Sequence, residues 1–262
     1  MMHDEPYRWA EAVANRREYI EDQLRGGSPV VGLGYEDGVV LVTLGQGQQK
    51  LFEIHDRIGL AALGHPTDIE KLRQAGVDLA SVIGFNYSEA DVTLQQIIHF
   101  GLGPAVKAAF DEIFRSPYIA RLLLSELGEP GEAVAFYTVD YDGSFLRTEG
   151  SGAVGGTADA ERMMHNRLQD GSDDGESLDS ALGRALLAWG AGWSVGQRGG
   201  GSTDTDDLEK ELDQADLPSL LREALDSMTV EAVVLDLTQS GKGKYRVLSE
   251  AEIEPALEAY RS

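Results

Sequence analysis

Residues 29–63 read PVVGLGYEDGVVLVTLGQGQQKLFEIHDRIGLAAL, and the punctuation of this stretch decides the fold. Pro29 to Tyr35 is short, β-branched and spaced by glycine. Glu36-Asp37-Gly38 supplies a hairpin turn, because an Asp-Gly pair tolerates positive φ. Val39 to Leu44 is an unbroken apolar run, which suits a strand covered on both faces. After the loop Gly45-Gln46-Gly47-Gln48-Gln49, a second pair of strands is expected at Lys50–His55 and Ile58–Leu63, turning at Asp56-Arg57. Four strands in a row without a helix between them are foreign to the βαβ alternation of a dinucleotide-binding domain.

Upstream, residues 6–24 predict a helix, with Trp9, Val13, Ile20 and Leu24 at roughly helical spacing and no glycine among them. Gly26-Gly27-Ser28 stops it. Tyr7 and Trp9 stand beside charged residues, so the helix alone is marginal in water and needs a packing partner. Downstream, helices are expected at Pro66–Val82 and Asp91–Phe114, the second carrying Ile97, Phe100, Val106, Phe110 and Phe114 on its apolar face. Strands follow at Arg121–Glu126, Ala133–Asp140, Phe145–Gly150 and Ser151–Gly156, then helices at Thr157–Leu168 and Leu178–Trp193. Residues 196–216 differ in kind: Gly199-Gly200-Gly201-Ser202 leads into an acidic run from Asp204 to Asp216, which reads as an exposed flexible insertion. Strands at Thr229–Leu237 and Tyr245–Leu248 and a final helix opened by a Ser249–Glu252 capping box complete the order. Segregated runs of strands and helices imply sheet packed on sheet with helices outside, an α+β sandwich in four layers, αββα. A single domain over residues 1–262 is expected.

Composition removes several classes of function. Apolar residues make up 42% of the 262, enough for a buried core. There is no cysteine, so disulfides and thiolate metal sites are excluded. The start, Met1-Met2-His3-Asp4-Glu5-Pro6, lacks the basic and apolar regions of a signal peptide. No apolar run approaches the ~18 residues that span a bilayer. A cytoplasmic home is the expectation. The net charge of −23 repels nucleic acid and anionic membrane, so neither is expected as a partner. Solubility accounts for this acidity, with steering of a basic partner as the alternative. His3, His55, His65, His99 and His165 show no metal-ligand spacing, and no metal or other cofactor is expected.

Several strings, in order, resemble the subunits of proteasome core particles. They are Gly27-Ser28 before an apolar strand, Gly32-Leu33-Gly34-Tyr35 with Gly38-Val39-Val40, and Lys50-Leu51-Phe52-Glu53-Ile54-His55-Asp56-Arg57-Ile58-Gly59 with Ala61-Ala62-Leu63-Gly64. Asp91-Val92-Thr93, Tyr137-Thr138-Val139-Asp140-Tyr141-Asp142-Gly143-Ser144 and Gly155-Gly156-Thr157 complete the set. The resemblance covers about Glu5 to Leu237 and implies the N-terminal-nucleophile hydrolase fold preceded by a helix. The helix before the first strand and the short loop Gly45 to Gln49 look more like actinobacterial alpha subunits than like beta subunits. The alpha class implies a heptameric ring of identical neighbours, stacked on a catalytic beta subunit, gating proteolysis and engaging a ring-shaped AAA ATPase activator. Met1, Met2, His3, Asp4 and Glu5 would then be the gate, although a frayed terminus has the same sequence character.

The resemblance also assigns roles. Lys50 matches an alpha-subunit lysine that receives the C-terminal carboxylate of an activator, a task suited to a point charge with three donors. Gly27 resembles a glycine lining that pocket, and His65 stands where archaeal relatives carry an apolar residue. The competing reading of Lys50 is a solvated residue at a strand start, and of Gly27 a plain helix stop. Asp56-Arg57 reads as a turn pair, and Gly155-Gly156-Thr157 as a helix cap. No catalytic residue is expected. Ser28 alone follows a glycine as a processed nucleophile would, with a turn hydroxyl as the other reading. Beta subunits resemble one another in an acidic residue about sixteen positions beyond the nucleophile and a lysine roughly thirty beyond, beside a freed amine that serves as base. Leu44 occupies the first place, and Lys50 comes too early for the second. Two alternatives stay open: a peptidase subunit cleaved at Gly27-Ser28, and an alpha-like homologue that assembles without a beta partner.

Overall fold

Two five-stranded antiparallel sheets form the centre of the molecule, and the first hairpin belongs to one while the second belongs to the other. The computed structural model describes residues 5–112, 114–128, 133–169, 175–197, 216–241 and 243–261. Helix α1 (Glu5–Arg25) leads into β1 (Val30–Tyr35) and β2 (Gly38–Gly45), and then β3 (Leu51–His55) and β4 (Ile58–Gly64). Helix α2 (Pro66–Asn86) follows, then α3 (Leu94–Ile97), a π turn (Ile98–Leu102) and α4 (Gly103–Asp111). Strands β5 (Ala120–Glu126), β6 (Ala135–Val139), β7 (Phe145–Glu149) and β8 (Ser151–Val154) precede α5 (Ala158–Gln169) and α6 (Leu178–Gln197). The chain closes with α7 (Leu217–Leu225), β9 (Thr229–Asp236), β10 (Tyr245–Val247) and α8 (Glu250–Arg261). The first sheet runs β10-β9-β2-β1-β8 and the second β3-β4-β5-β6-β7.

The unbroken apolar strands follow from burial on both sides. In β2, Val39 and Leu41 enter the core between the sheets, while Val40, Val42 and Leu44 face α6, α7 and α8. In β4, Ala61 and Leu63 point between the sheets, while Ile58, Leu60 and Ala62 face α2 and α3. Side chains alternate across a strand, so helices on the outer faces make nearly every position apolar, with Thr43 in β2 as the exception. The four layers are therefore helix, sheet, sheet, helix. The sheets meet closely over Gly32, which pairs with Gly152: a Cβ on Gly32 would lie 2.4 Å from Cε1 of Phe136. Helix α1 seals one end of this core through Ile20 and Leu24, both fully buried. Burying two such side chains stabilises the docked helix by about 1.5–3 kcal/mol each.

Four local expectations need correction. The helix expected at Asp91–Phe114 is broken, because the π turn at Ile98–Leu102 adds a residue to one turn and rotates its neighbours. Phe100 is 78% exposed as a result, and Phe114, beyond the end of α4, is fully exposed. Val82 also faces outward, and α2 runs past it to Asn86. Helix α6 extends to Gln197, taking Gly196 from the expected insertion, and Asp216 caps α7 at the other side; residues 198–215 lie outside the described residues. Helix α7 was not expected at all. Asp216 accepts from the Ser219 amide, Pro218 occupies the first turn, and Leu221 packs on α6. At Ser249 the Glu252 carboxylate does reach back to the Ser249 amide (2.9 Å), but the serine hydroxyl donates to that carboxylate instead of accepting from the helix.

Candidate docking site around Lys50

Lys50 stands at the entrance to β3, where its carbonyl accepts from the Ala62 amide (3.0 Å) and so sits beside the last residues of β4. Two residues on, Gly64-His65 carry the chain into α2. Gly27 lies against the same segment: a Cβ there would stand 2.8 Å from Cγ and Cδ2 of Leu63. The end of α1, the start of β3 and the end of β4 therefore meet at one end of the sandwich, where Lys50 adjoins the Gly27-Ser28 segment and His65 is the first residue after β4. The Gly27 amide donates to the Leu24 carbonyl (2.9 Å), which closes α1. The room left by its missing side chain is filled by Leu63.

The Lys50 side chain is half-buried, and its ammonium donates to the Ser28 carbonyl (3.2 Å). Burial pushes the Lys50 pKa down to about 8, while the charge of Glu231 works in the opposite direction. The ammonium form therefore predominates at neutral pH. His65 is exposed, and its Nδ1 accepts from the Thr67 amide (3.3 Å), so its imidazole caps α2.

Ser28 is almost wholly buried. Its hydroxyl donates to the Leu44 carbonyl (2.5 Å) and accepts from the Trp189 indole N–H (3.1 Å). Thr43 lies alongside, donating to the Pro29 carbonyl (2.7 Å). Leu44, at the place where an acidic residue belongs in the catalytic pattern, contributes its carbonyl to this network and its side chain to the outer core.

Elsewhere, Arg57 does more than turn the chain: its Nε donates to the Leu127 carbonyl (3.0 Å) and its guanidinium also reaches Gly128. Thr157 caps α5, accepting from the Ala160 amide (3.2 Å), as its position suggested. Among the described residues no three His, Asp or Glu side chains converge as a metal set. No helix among them is long and apolar enough to cross a membrane. Of the expected gate, Met1, Met2, His3 and Asp4 lie outside the described residues, and Glu5 begins α1.

Sequence reasoning missed Glu231 and Tyr245. Both come from the opposite sheet and grip the start of β3. The Glu231 carboxylate accepts from the amides of Lys50 (3.0 Å) and Leu51 (2.9 Å), and the Tyr245 hydroxyl donates to the Leu51 carbonyl (3.1 Å). No local signal announces them, because their partners are 181 and 194 residues away.

No family model matches the chain. Among curated proteins it is 30% identical over 251 residues to the proteasome subunit alpha of Streptomyces scabiei (strain 87.22), covering 95% of this chain and 90% of that one. It is 31% identical over 255 residues to the proteasome subunit alpha of Streptomyces coelicolor, covering 95% and 87%. It is 29% identical over 253 residues to that of a Nocardioides species, covering 94% and 86%.

Proposed function

The chain belongs to the proteasome alpha-subunit family, and from that premise we propose that it is a non-catalytic subunit of the outer ring of a proteasome core particle. In this reading seven copies form a ring stacked on a catalytic beta partner, and the ring limits the entry of unfolded chains. A ring ATPase opens it by placing a C-terminal carboxylate against Lys50.

The observation that carries the docking role is the state of Lys50. Among the described residues, the one oxygen within hydrogen-bond reach of its ammonium is the Ser28 carbonyl. That leaves donors on a partly desolvated cation, at which an incoming carboxylate gains more than it would in water. The non-catalytic role is supported by Ser28, whose hydroxyl proton is committed to the Leu44 carbonyl. The large exposed aromatic side chains Phe85, Tyr87 and Phe100 support assembly, since a surface of that kind marks an interface with another protein.

The test is Lys50→Ala in the reconstituted particle. ATPase-stimulated protein degradation is lost, and hydrolysis of small peptides by the beta partner persists. Equal loss of both refutes docking at Lys50. A second reading has one observation in its favour: the lysine ammonium does lie beside Ser28, as in a nucleophile hydrolase. The denatured intact mass separates the two. A full-length mass supports the gate, whereas a chain beginning at Ser28 establishes autocatalytic cleavage.

A further inference from the structure

The start of β3 is held across the gap between the sheets by two side chains, and Glu231 is the charged one. Glu231 lies on β9, opposite Thr43 in the β2–β9 register, and so belongs to the first sheet. Its carboxylate crosses to the second sheet and receives the Lys50 amide on both oxygens (3.2 and 3.0 Å) and the Leu51 amide on one (2.9 Å). Two consecutive amides converging on one carboxylate make a backbone nest, a geometry that favours an anion. The carbonyls that follow are also occupied: Lys50's accepts from the Ala62 amide (3.0 Å), and Leu51's accepts from the Tyr245 hydroxyl and from Nε2 of Gln49 (2.9 Å). The backbone that carries Lys50 therefore has little freedom to shift. The charge acts on the side chain too. Burial drives the Lys50 ammonium toward its neutral form, and Glu231 is the charged group that opposes this. Burial also raises the Glu231 carboxyl, against the two amides and Lys50. The other titratable groups at this junction are Glu53, on the same strand as Lys50, and Tyr245 on β10, whose phenol is raised by burial and by both carboxylates.

We propose that Glu231 is the positioning residue of Lys50: its carboxylate fixes the peptides that carry the side chain and places a negative charge beside it. The functional meaning of this rests on the docking role of Lys50, but the contact can be tested without an activator. In the full-length chain, brief acetic anhydride labelling across the neutral to alkaline range, read by peptide mass spectrometry, gives the pH midpoint at which Lys50 becomes reactive. In the unaltered protein the expected midpoint is about 8, below that of an ordinary lysine. Glu231→Gln keeps an acceptor for the amides and removes the charge, so the midpoint moves to lower pH. Tyr245→Phe loosens the same strand without changing charge and leaves the midpoint in place.

An unmoved midpoint in Glu231→Gln, or an equal movement in both variants, overturns the proposal. Should Glu231→Gln not fold, Glu231→Asp draws the charge back by one methylene and is read by the same criterion. In the assembled particle, ATPase-stimulated degradation by Glu231→Gln falls and recovers as the pH is lowered. Stimulation that survives Lys50→Ala removes the docking role, and the labelling midpoint still decides whether Glu231 governs Lys50.

Discussion

Ser28 shows how one hydroxyl decides between two functions. Its proton goes to the Leu44 carbonyl and its lone pair takes the Trp189 indole proton, so it serves the junction of β1, β2 and α6. Ser28→Ala leaves the buried indole N–H without that acceptor, and the cost is about 1–3 kcal/mol of unfolding free energy, measured in urea. A nucleophile would instead lose hydrolysis in the particle while the chain stayed stable. Ser125 is the opposite case. Its hydroxyl is fully buried between the sheets beside Gly59 and has no hydrogen-bond partner. Ser125→Ala removes that unpaired group, so stability holds or rises by up to about 1 kcal/mol, and a clear loss would reveal a partner for the hydroxyl. Residue types carried part of this information: Gly-Ser-Pro after a helix suggested a structural hydroxyl, and Lys50 stood out by resemblance. The indole that binds Ser28 is 161 residues away, however, and Glu231 in its strand looks like any exposed acid. Local sequence patterns do not encode such pairings, which exist only once the two sheets are stacked.

At the scale of elements, turns and apolar runs were legible because each has a local physical cause. Asp37-Gly38 and Asp142-Gly143 turn where backbone sterics direct, and strands covered on both faces are mostly apolar. Helix α7 was hidden because its Asp-Leu-Pro-Ser start continues an acidic run, and its one strong signal, the face carrying Leu217, Leu221 and Ala224, is short. The π turn was hidden because Gly101 and Gly103-Pro104 suggested a break where the chain instead widens one turn. Helix α1 depends on docking. Leu24→Ala is expected to cost about 2–5 kcal/mol and to raise amide exchange along α1, whereas uniform exchange throughout the protein would place Leu24 in the global core alone. Helix α8 depends on pH. Ser249 and Arg246 hold the Glu252 carboxyl down at about 2. Because the folded value lies below the unfolded one, this contribution is complete above the ordinary glutamate range and is lost as pH falls toward 2. Glu252→Gln should flatten the acid dependence of exchange in α8, and an unchanged dependence would assign it to another group.

The whole molecule joins two features that pull in opposite directions. A net charge of −23 keeps separate chains apart. The last turns of α2 and the π turn nevertheless present large aromatic side chains, with Phe85 91% exposed and Phe100 78%. Neither belongs to the buried core, so neither explains how this chain folds; a surface that another subunit covers would account for both, and that is the expectation to test. Charge repulsion then sets a condition on assembly. Contacts along an acidic surface strengthen as salt shortens the Debye length, to about 10 Å at 0.1 M, and the apolar contact persists at any salt. The two contributions separate in a double variant, Phe85→Ser with Phe100→Ser. Its unfolding free energy should stay within about 0.5 kcal/mol of the unaltered chain, because exposed side chains contribute little to folding. Its assembly with the beta partner, followed by sedimentation velocity across a salt series, should weaken at every salt concentration while the slope with salt is retained. Unchanged assembly would remove these aromatics from the contact surface. A large loss of stability would mean that the rings support the fold of the isolated chain after all.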